Sequence, residues 1–130
     1  MWWFRKRKQV HFDYTRDIHS HILPGVDDGV RTYGEAIAIL KELSELGVRR
    51  VTSTSHVCFP TLMNGRENFR PLLENLRAGL QKEGGKIKLD LGAEYRVGEY
   101  MLGLIDRGEI LSGDENRVLV EHSFLSPSPF

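Results

Sequence analysis

Four side chains able to hold a metal ion fall at the ends of four β-prone runs: His19, His56, Glu94 and Glu121. Imidazole and carboxylate are the usual ligands of zinc, manganese and iron. A single such residue at a strand end is ordinarily a loop or ion-pair residue, but four at equivalent positions are hard to explain by chance. His19-Ser20-His21 is the strongest local signal. Where strand geometry persists, residues i and i+2 face the same way, so both imidazoles can meet one cation. Asp28 follows His21 by seven residues in a Gly-flanked loop that could fold it over the same face. Asp27 is its rival, and spacing does not choose between them. His11 precedes the first strand and reads as a surface residue. His122 points away from the face that Glu121 occupies, so contact with a ligand or substrate is its minor reading.

The nucleophile is narrowed by what is missing. Cys58 is the sole cysteine, and a cysteine-dependent phosphatase needs an arginine at C-x5-R spacing to cradle phosphate. That position holds Asn64, and the first arginine after the cysteine is Arg66. Neither a Gly-x-Ser-x-Gly elbow nor a Gly-x4-Gly-Lys-Ser/Thr phosphate loop occurs. Metal-activated water is left as the best nucleophile.

The elements that must position these residues alternate along the chain. Tyr14–Ile18 reads as a strand running into His19, and Leu23-Pro24-Gly25 with Asp27-Asp28-Gly29 is turn chemistry. Thr32 can cap a helix with Glu35 as its capping-box partner. Ala36, Ile37, Leu40, Leu43 and Leu46 then recur at helical spacing up to Gly47. Val48–Thr54 is a second strand, closed by His56. A second helix carries Phe69, Leu72, Leu73, Leu76 and Leu80 on one face and is broken by Gly84-Gly85. Ile87–Leu91 is a third strand that runs into Glu94. A short helix over Tyr100–Arg107 and a loop at Ser112–Asn116 precede a fourth strand, Val118–Val120, ending at Glu121. Four β-α repeats without a hairpin signal predict a parallel sheet with covering helices. In such arrays the strand carboxyl ends share one face, where sites are built.

Bulk composition excludes several classes. The chain has 130 residues, 40% hydrophobic and 28% charged, as one ordinary globular domain would. Lys+Arg and Asp+Glu number 18 each, which argues against a general nucleic-acid binder. No apolar run approaches the roughly 18 residues of a membrane span. A lone cysteine suits a reducing compartment, so a cytoplasmic, at most membrane-peripheral, location is expected. Residues 1–13 read as a leader and 14–130 as the domain. Within the leader, Met1-Trp2-Trp3-Phe4 precedes Arg5-Lys6-Arg7-Lys8, the reverse of a secretory signal. Trp2 and Trp3 could give a weak membrane-surface contact, with a solvated tail as the plainer reading.

The stretch Asp17-Ile18-His19-Ser20-His21-Ile22-Leu23-Pro24-Gly25-Val26-Asp27-Asp28-Gly29 resembles the opening motif of the polymerase-and-histidinol-phosphatase superfamily. More narrowly, it is similar to bacterial manganese-dependent tyrosine-protein phosphatases associated with capsule and exopolysaccharide synthesis. Thr54-Ser55-His56, Leu91-Gly92-Ala93-Glu94-Tyr95-Arg96 and Val118-Leu119-Val120-Glu121 followed by Phe124 and Pro127 agree. His-x-His alone would also fit amidohydrolases, but the continuation from His21 to Asp28 is not usual there.

The resemblance implies a distorted, TIM-like β/α barrel, here reaching about its fourth strand, with up to three manganese ions (zinc or iron as alternatives). His19, His21 and Glu94 would hold one ion. Glu94 would bridge to a second that Glu121 also binds, and Asp28 with His56 would hold a third. A metal-bound hydroxide would attack phosphorus, with no protein nucleophile. The substrate implied is a phosphotyrosine protein, which a bacterial tyrosine kinase could be. The relatives so implied are about twice as long, and their second half supplies further ligands and phosphate-gripping arginines. The 130 residues alone are therefore expected to be weak or inactive. Alternatives are a phosphoesterase for a small metabolite such as histidinol phosphate, and a catalytically dead partner-binding module. Four β/α units would also leave one sheet face and two edges open, so self-association is expected.

Overall fold

Aliphatic spacing becomes helix where it was expected. Helix α1 (Tyr33–Glu45) starts at Thr32, whose side chain accepts from the Glu35 N–H at 3.1 Å. The reciprocal half of the capping box differs: the Glu35 carboxylate accepts from the Arg31 N–H, one residue before the cap. Leu46 and Gly47 close the helix, with Gly47 in the left-handed region at φ +103°. Helix α2 (Arg66–Lys82) buries Phe69, Leu73, Leu76 and Leu80, the stripe that the i, i+3, i+4 spacing marks. Burying each of these stabilises the fold by about 1.5–3 kcal/mol. They meet Ala36 and Leu40 of α1, with Val51 and Leu89 of the sheet in the same core. A third helix, α3 (Glu99–Asp106), buries Leu104.

The computed structural model describes residues 10–122. Trp2, Trp3 and the basic run, together with Phe124 and the segment Ser126–Phe130, lie outside the described residues. Phe12, within the stretch expected as a leader, packs against the core and donates its N–H to the Leu46 carbonyl at 2.8 Å.

The described residues form six short strands: β1 (Arg16–Ser20), β2 (Arg50–Ser53), β3 (His56–Val57), β4 (Lys88–Leu91), β5 (Glu94–Arg96) and β6 (Leu119–Glu121). All pairings between them are parallel, in the orders β1-β2-β4 and β3-β5-β6. The parallel α/β class expected from the sequence is thus found, with a correction to the strand count. The second and third expected strands are found as the shorter β2 and β4, and each is followed after a break, at Thr54-Ser55 and at Gly92-Ala93, by a further strand that was not expected, β3 and β5. Backbone hydrogen bonds from Gly92 N to Ser53 O (2.9 Å) and Glu94 N to Ser55 O (3.0 Å) bridge the breaks. The two small sheets therefore follow one kinked path, with β2 continuing as β3 and β4 as β5.

The loop before β6 packs closely against the kinked strands. A side chain at Gly113 would lie 2.9 Å from Thr52 Cγ2, and one at Gly92 would lie 3.1 Å from the same atom. Only glycine lets the loop before β6 approach the strand this closely. The first strand also starts two residues later than expected, and it bulges. Asp17 pairs with Val51 but Ser20 with Ser53, so β1 has one extra residue at Ile18-His19.

Candidate metal centre

The carboxyl ends of β1 and β6 and the first residues of β3 and β5, just past the breaks that follow β2 and β4, bring the predicted side chains together. Proximity sorts them into three groups: His19, His21 and Glu94; His56, Glu94 and Glu121; and His21, Asp27, Asp28 and His56. Within each group the potential ligand atoms lie within 4.8 Å of one another. Glu94 is the hub. Its Oε2 is 3.3 Å from His19 Nε2, 3.1 Å from His21 Nε2 and 3.5 Å from His56 Nδ1. Its position follows from register: His56 pairs with Glu94 on neighbouring parallel strands, which places both side chains on one face. Glu121 reaches His56 Nδ1 at 3.1 Å from the end of β6.

The structure separates the two aspartates that spacing left open. The Asp27 side chain is wholly buried, and its oxygens are occupied. They accept from His21 Nδ1 (2.9 Å), the His56 N–H (3.0 Å) and the Gly29 N–H (2.9 Å). Burial alone would raise the pKa of this carboxyl, but these donors outweigh it and hold the group below the ordinary range. Asp28 is 82% exposed in its side chain and lies 3.4 Å from His56 Nε2. Gly29 makes the fold-back possible, since a Cβ there would sit 2.3 Å from the His21 carbonyl oxygen.

His11 and His122 stand outside these groups. His11 lies against Gly47 at the end of α1, and His122 is exposed. Cys58 is half-buried and free, in a backbone bridge with Leu62. Sequence reasoning missed Asn64, whose amide donates to the Val26 and His56 carbonyls at 3.3 Å each and ties the Asp27-Asp28 loop to β3. An asparagine in a polar loop carries no signal of so distant a bond. Thr54 was also missed: its hydroxyl bonds both backbone groups of Ser20, fixing the end of β1 beside His21.

The donor set fits divalent cations. A neutral His21 that donates Nδ1–H to Asp27 presents a bare lone pair at Nε2. That lone pair faces a carboxylate oxygen at 3.1 Å and the His19 Nε2 at 3.3 Å. Electron-rich atoms at these distances repel unless a positive charge stands between them. A carboxylate behind a ligating histidine is also the usual way its tautomer and orientation are set.

Comparison with known proteins places the chain in a family. Residues 15–128 match the family model for capsular polysaccharide synthesis, CpsB/CapC. The tyrosine-protein phosphatase CpsB of Streptococcus pneumoniae is 52% identical over 108 residues, covering 82% of this chain and 44% of that protein. The tyrosine-protein phosphatase YwqE of Bacillus subtilis is 29% identical over 109 residues, covering 83% and 43%. A chain from crystal structures of YwqE and CpsB, described as metal-dependent tyrosine phosphatases, aligns with a TM-score of 0.76 at 27% identity. It covers 84% of this chain and 44% of its own length. The chain spans less than half the length of the curated relatives it matches. The match over most of its length shows that this chain belongs to the CpsB/CapC family of capsular polysaccharide synthesis.

Proposed function

We propose that this chain supplies the histidine- and carboxylate-rich part of a metal-dependent phosphatase that hydrolyses phosphotyrosine in proteins. The observation that carries the reading is Glu94 Oε2, buried among three imidazole nitrogens within 3.5 Å. His19, His21 and Glu94 would hold one cation, Glu94 and Glu121 a second, and Asp28 with His56 a third. Manganese is the ion favoured, with zinc or iron as alternatives. Such ions, when bound, supply Lewis acidity toward phosphoryl oxygens and lower the pKa of a bound water.

The protein's own part is positioning. Asp27 fixes the His21 tautomer and, through the His56 N–H, the start of β3. Asn64 holds the loop that carries Asp28. Glu94 lies on buried backbone between two other strands, so its oxygen is held without the entropy loss of an exposed glutamate. We further propose that the six strands belong to a distorted β/α barrel, that the protein works in the cytoplasm, and that a tyrosine kinase is among its substrates.

The test is phosphotyrosine-peptide hydrolysis with added manganese. The 130 residues alone should show negligible turnover, because they span less than half the length of the relatives whose activity is invoked. Joining them to the remaining length of the pneumococcal relative should give clear turnover, with histidinol phosphate cleaved poorly. A joined protein inactive on every phosphomonoester would sink the reading, and preference for histidinol phosphate would move it to the small-metabolite class. Self-association is also proposed, through the exposed Ile18, Val118 and Val120 beside open strand edges. Light scattering at micromolar concentration should give a mass above 14.9 kDa; a monomer would refute it.

A further inference from the structure

Arg96 ends β5 and pairs in register with Glu121 of β6, with Glu94 two residues earlier on the same face. Its Nε is shielded from solvent and lies 3.3 Å from Glu121 Oε1, yet no acceptor stands in line with the N–H. The side chain as a whole is 38% exposed. Among the described residues, Arg96 is the only lysine or arginine ion-paired to a carboxylate of the metal cluster. The arginines at the opposite end of the sheet are committed elsewhere: Arg50 to Asp90, and Arg16 to Asp114 and Glu115.

We propose that Arg96 is a phosphoryl-binding residue: its guanidinium takes oxygens of a phosphate-monoester dianion seated over the Glu94–Glu121–His56 cluster. The inference rests on the reading of the site as a phosphoester hydrolase. Three physical points support it. A cluster holding Asp27, Asp28, Glu94 and Glu121 concentrates negative charge, and an approaching dianion needs fixed positive charge at its rim as well as cations within. Guanidinium presents paired donors that match phosphate oxygens, and it is always protonated. The backbone of β5 also sets the reach, since Arg96 stands two residues beyond Glu94 along one strand face, level with Glu121 of β6.

A purely structural role is the competing account, in which Arg96 only holds Glu121 in place. The two differ in what Arg96→Gln should lose. Calorimetry on the 130-residue chain would measure manganese binding first, then inorganic phosphate binding to the manganese-loaded chain, for wild type, Arg96→Gln and Arg96→Lys. We expect phosphate affinity to fall about tenfold or more in Arg96→Gln, as for loss of a charge-assisted hydrogen bond. It should fall less in Arg96→Lys, while manganese affinity stays within about twofold, because Arg96 is not among the residues that would ligate the ion. Circular dichroism melts would confirm that each variant is folded. Equal phosphate affinity in all three overturns the proposal. Manganese and phosphate affinities falling together overturn it too, by assigning Arg96 to Glu121. Wild type that holds manganese but takes no phosphate defeats this inference and leaves the metal reading standing. Wild type that holds no manganese defeats both.

Discussion

Two buried carboxylates lie toward opposite ends of the same kinked sheet, and their neighbours differ in kind. Asp114, 8% exposed, faces Arg16 Nη1 at 2.7 Å and Arg50 Nε at 3.7 Å. Glu94, 7% exposed, faces three imidazole nitrogens and no arginine or lysine among the described residues. Burial is therefore alike and compensation is not. A guanidinium always carries its protons, so the Asp114 cluster is electrically complete as it stands. Asp90 beside it keeps Arg50 still more firmly protonated than usual. Imidazole nitrogens present lone pairs as readily as protons, so the Glu94 cluster reaches the same completeness only with added positive charge. One end of the sheet is built to hold the fold, and the other is built to hold something else.

The largest effects should come from removing each carboxylate in turn. Asp114→Ala removes the buried partner of Arg16 and Arg50, leaving them Glu115 and Asp90, and breaking a buried pair costs up to about 3–5 kcal/mol. Both arginines are partly exposed, so about 2–3 kcal/mol is the expected loss after solvent screening. Denaturant melts should show this loss equally with and without manganese. Glu94→Gln should leave the metal-free melt nearly unchanged. It should abolish the stabilisation by manganese, which for the wild type at a hundredfold excess over Kd amounts to about 2.7 kcal/mol. If Glu94→Gln unfolds the metal-free chain as Asp114→Ala does, the two ends do the same job and the comparison fails.

Asp27 sharpens the contrast, because it is a carboxylate at the metal end that behaves like those at the other. Its three donors satisfy it fully, and they hold its charge rather than leaving it free for an ion. Asp27→Asn turns one acceptor oxygen into a donor and frees the His21 ring. If His21 ligates as proposed, removing such a support behind it should cost about 10–100-fold in metal affinity. Manganese titration should show that loss, together with a much smaller change in the metal-free melt than Asp114→Ala gives. Unchanged manganese affinity would mean that His21 needs no orienting partner.

The same contrast explains what could be read from residue order. Helix α2 was legible because Phe69, Leu73, Leu76 and Leu80 repeat at a local period, and the nearness of His19, His56, Glu94 and Glu121 was legible from parallel β/α order, although His56 and Glu94 open β3 and β5 rather than closing the strands before them. The breaks at Thr54-Ser55 and Gly92-Ala93 were not, since neither pair is a marked turn signal and the close approach of Gly113 to Thr52 beside them joins residues far apart in sequence. The bulge at Ile18-His19 leaves no local mark either. Asp27 and Asp28 are neighbours in sequence, and their fates are decided by the His56 N–H, 29 residues further on. Arg16 and Asp114 are 98 residues apart, so no pattern in either neighbourhood announces the bond.

The smallest effect tests whether burial or distance governs the structural end. Arg16 Nη1 makes a second ion pair, to Glu115 Oε1 at 2.6 Å, slightly shorter than its bond to Asp114. By distance alone Glu115 should matter as much as Asp114. Its side chain is 49% exposed, however, and an ion pair in water gives back in lost hydration and side-chain entropy most of what attraction supplies. Glu115→Gln keeps the side-chain length and the backbone at φ +56°, and it removes only the charge. The expected loss is about 0.5 kcal/mol or less, shrinking further in high salt. A loss approaching that of Asp114→Ala would show that the shorter contact, and not the buried one, anchors Arg16. The division between the two ends would then rest on proximity rather than on solvent exclusion.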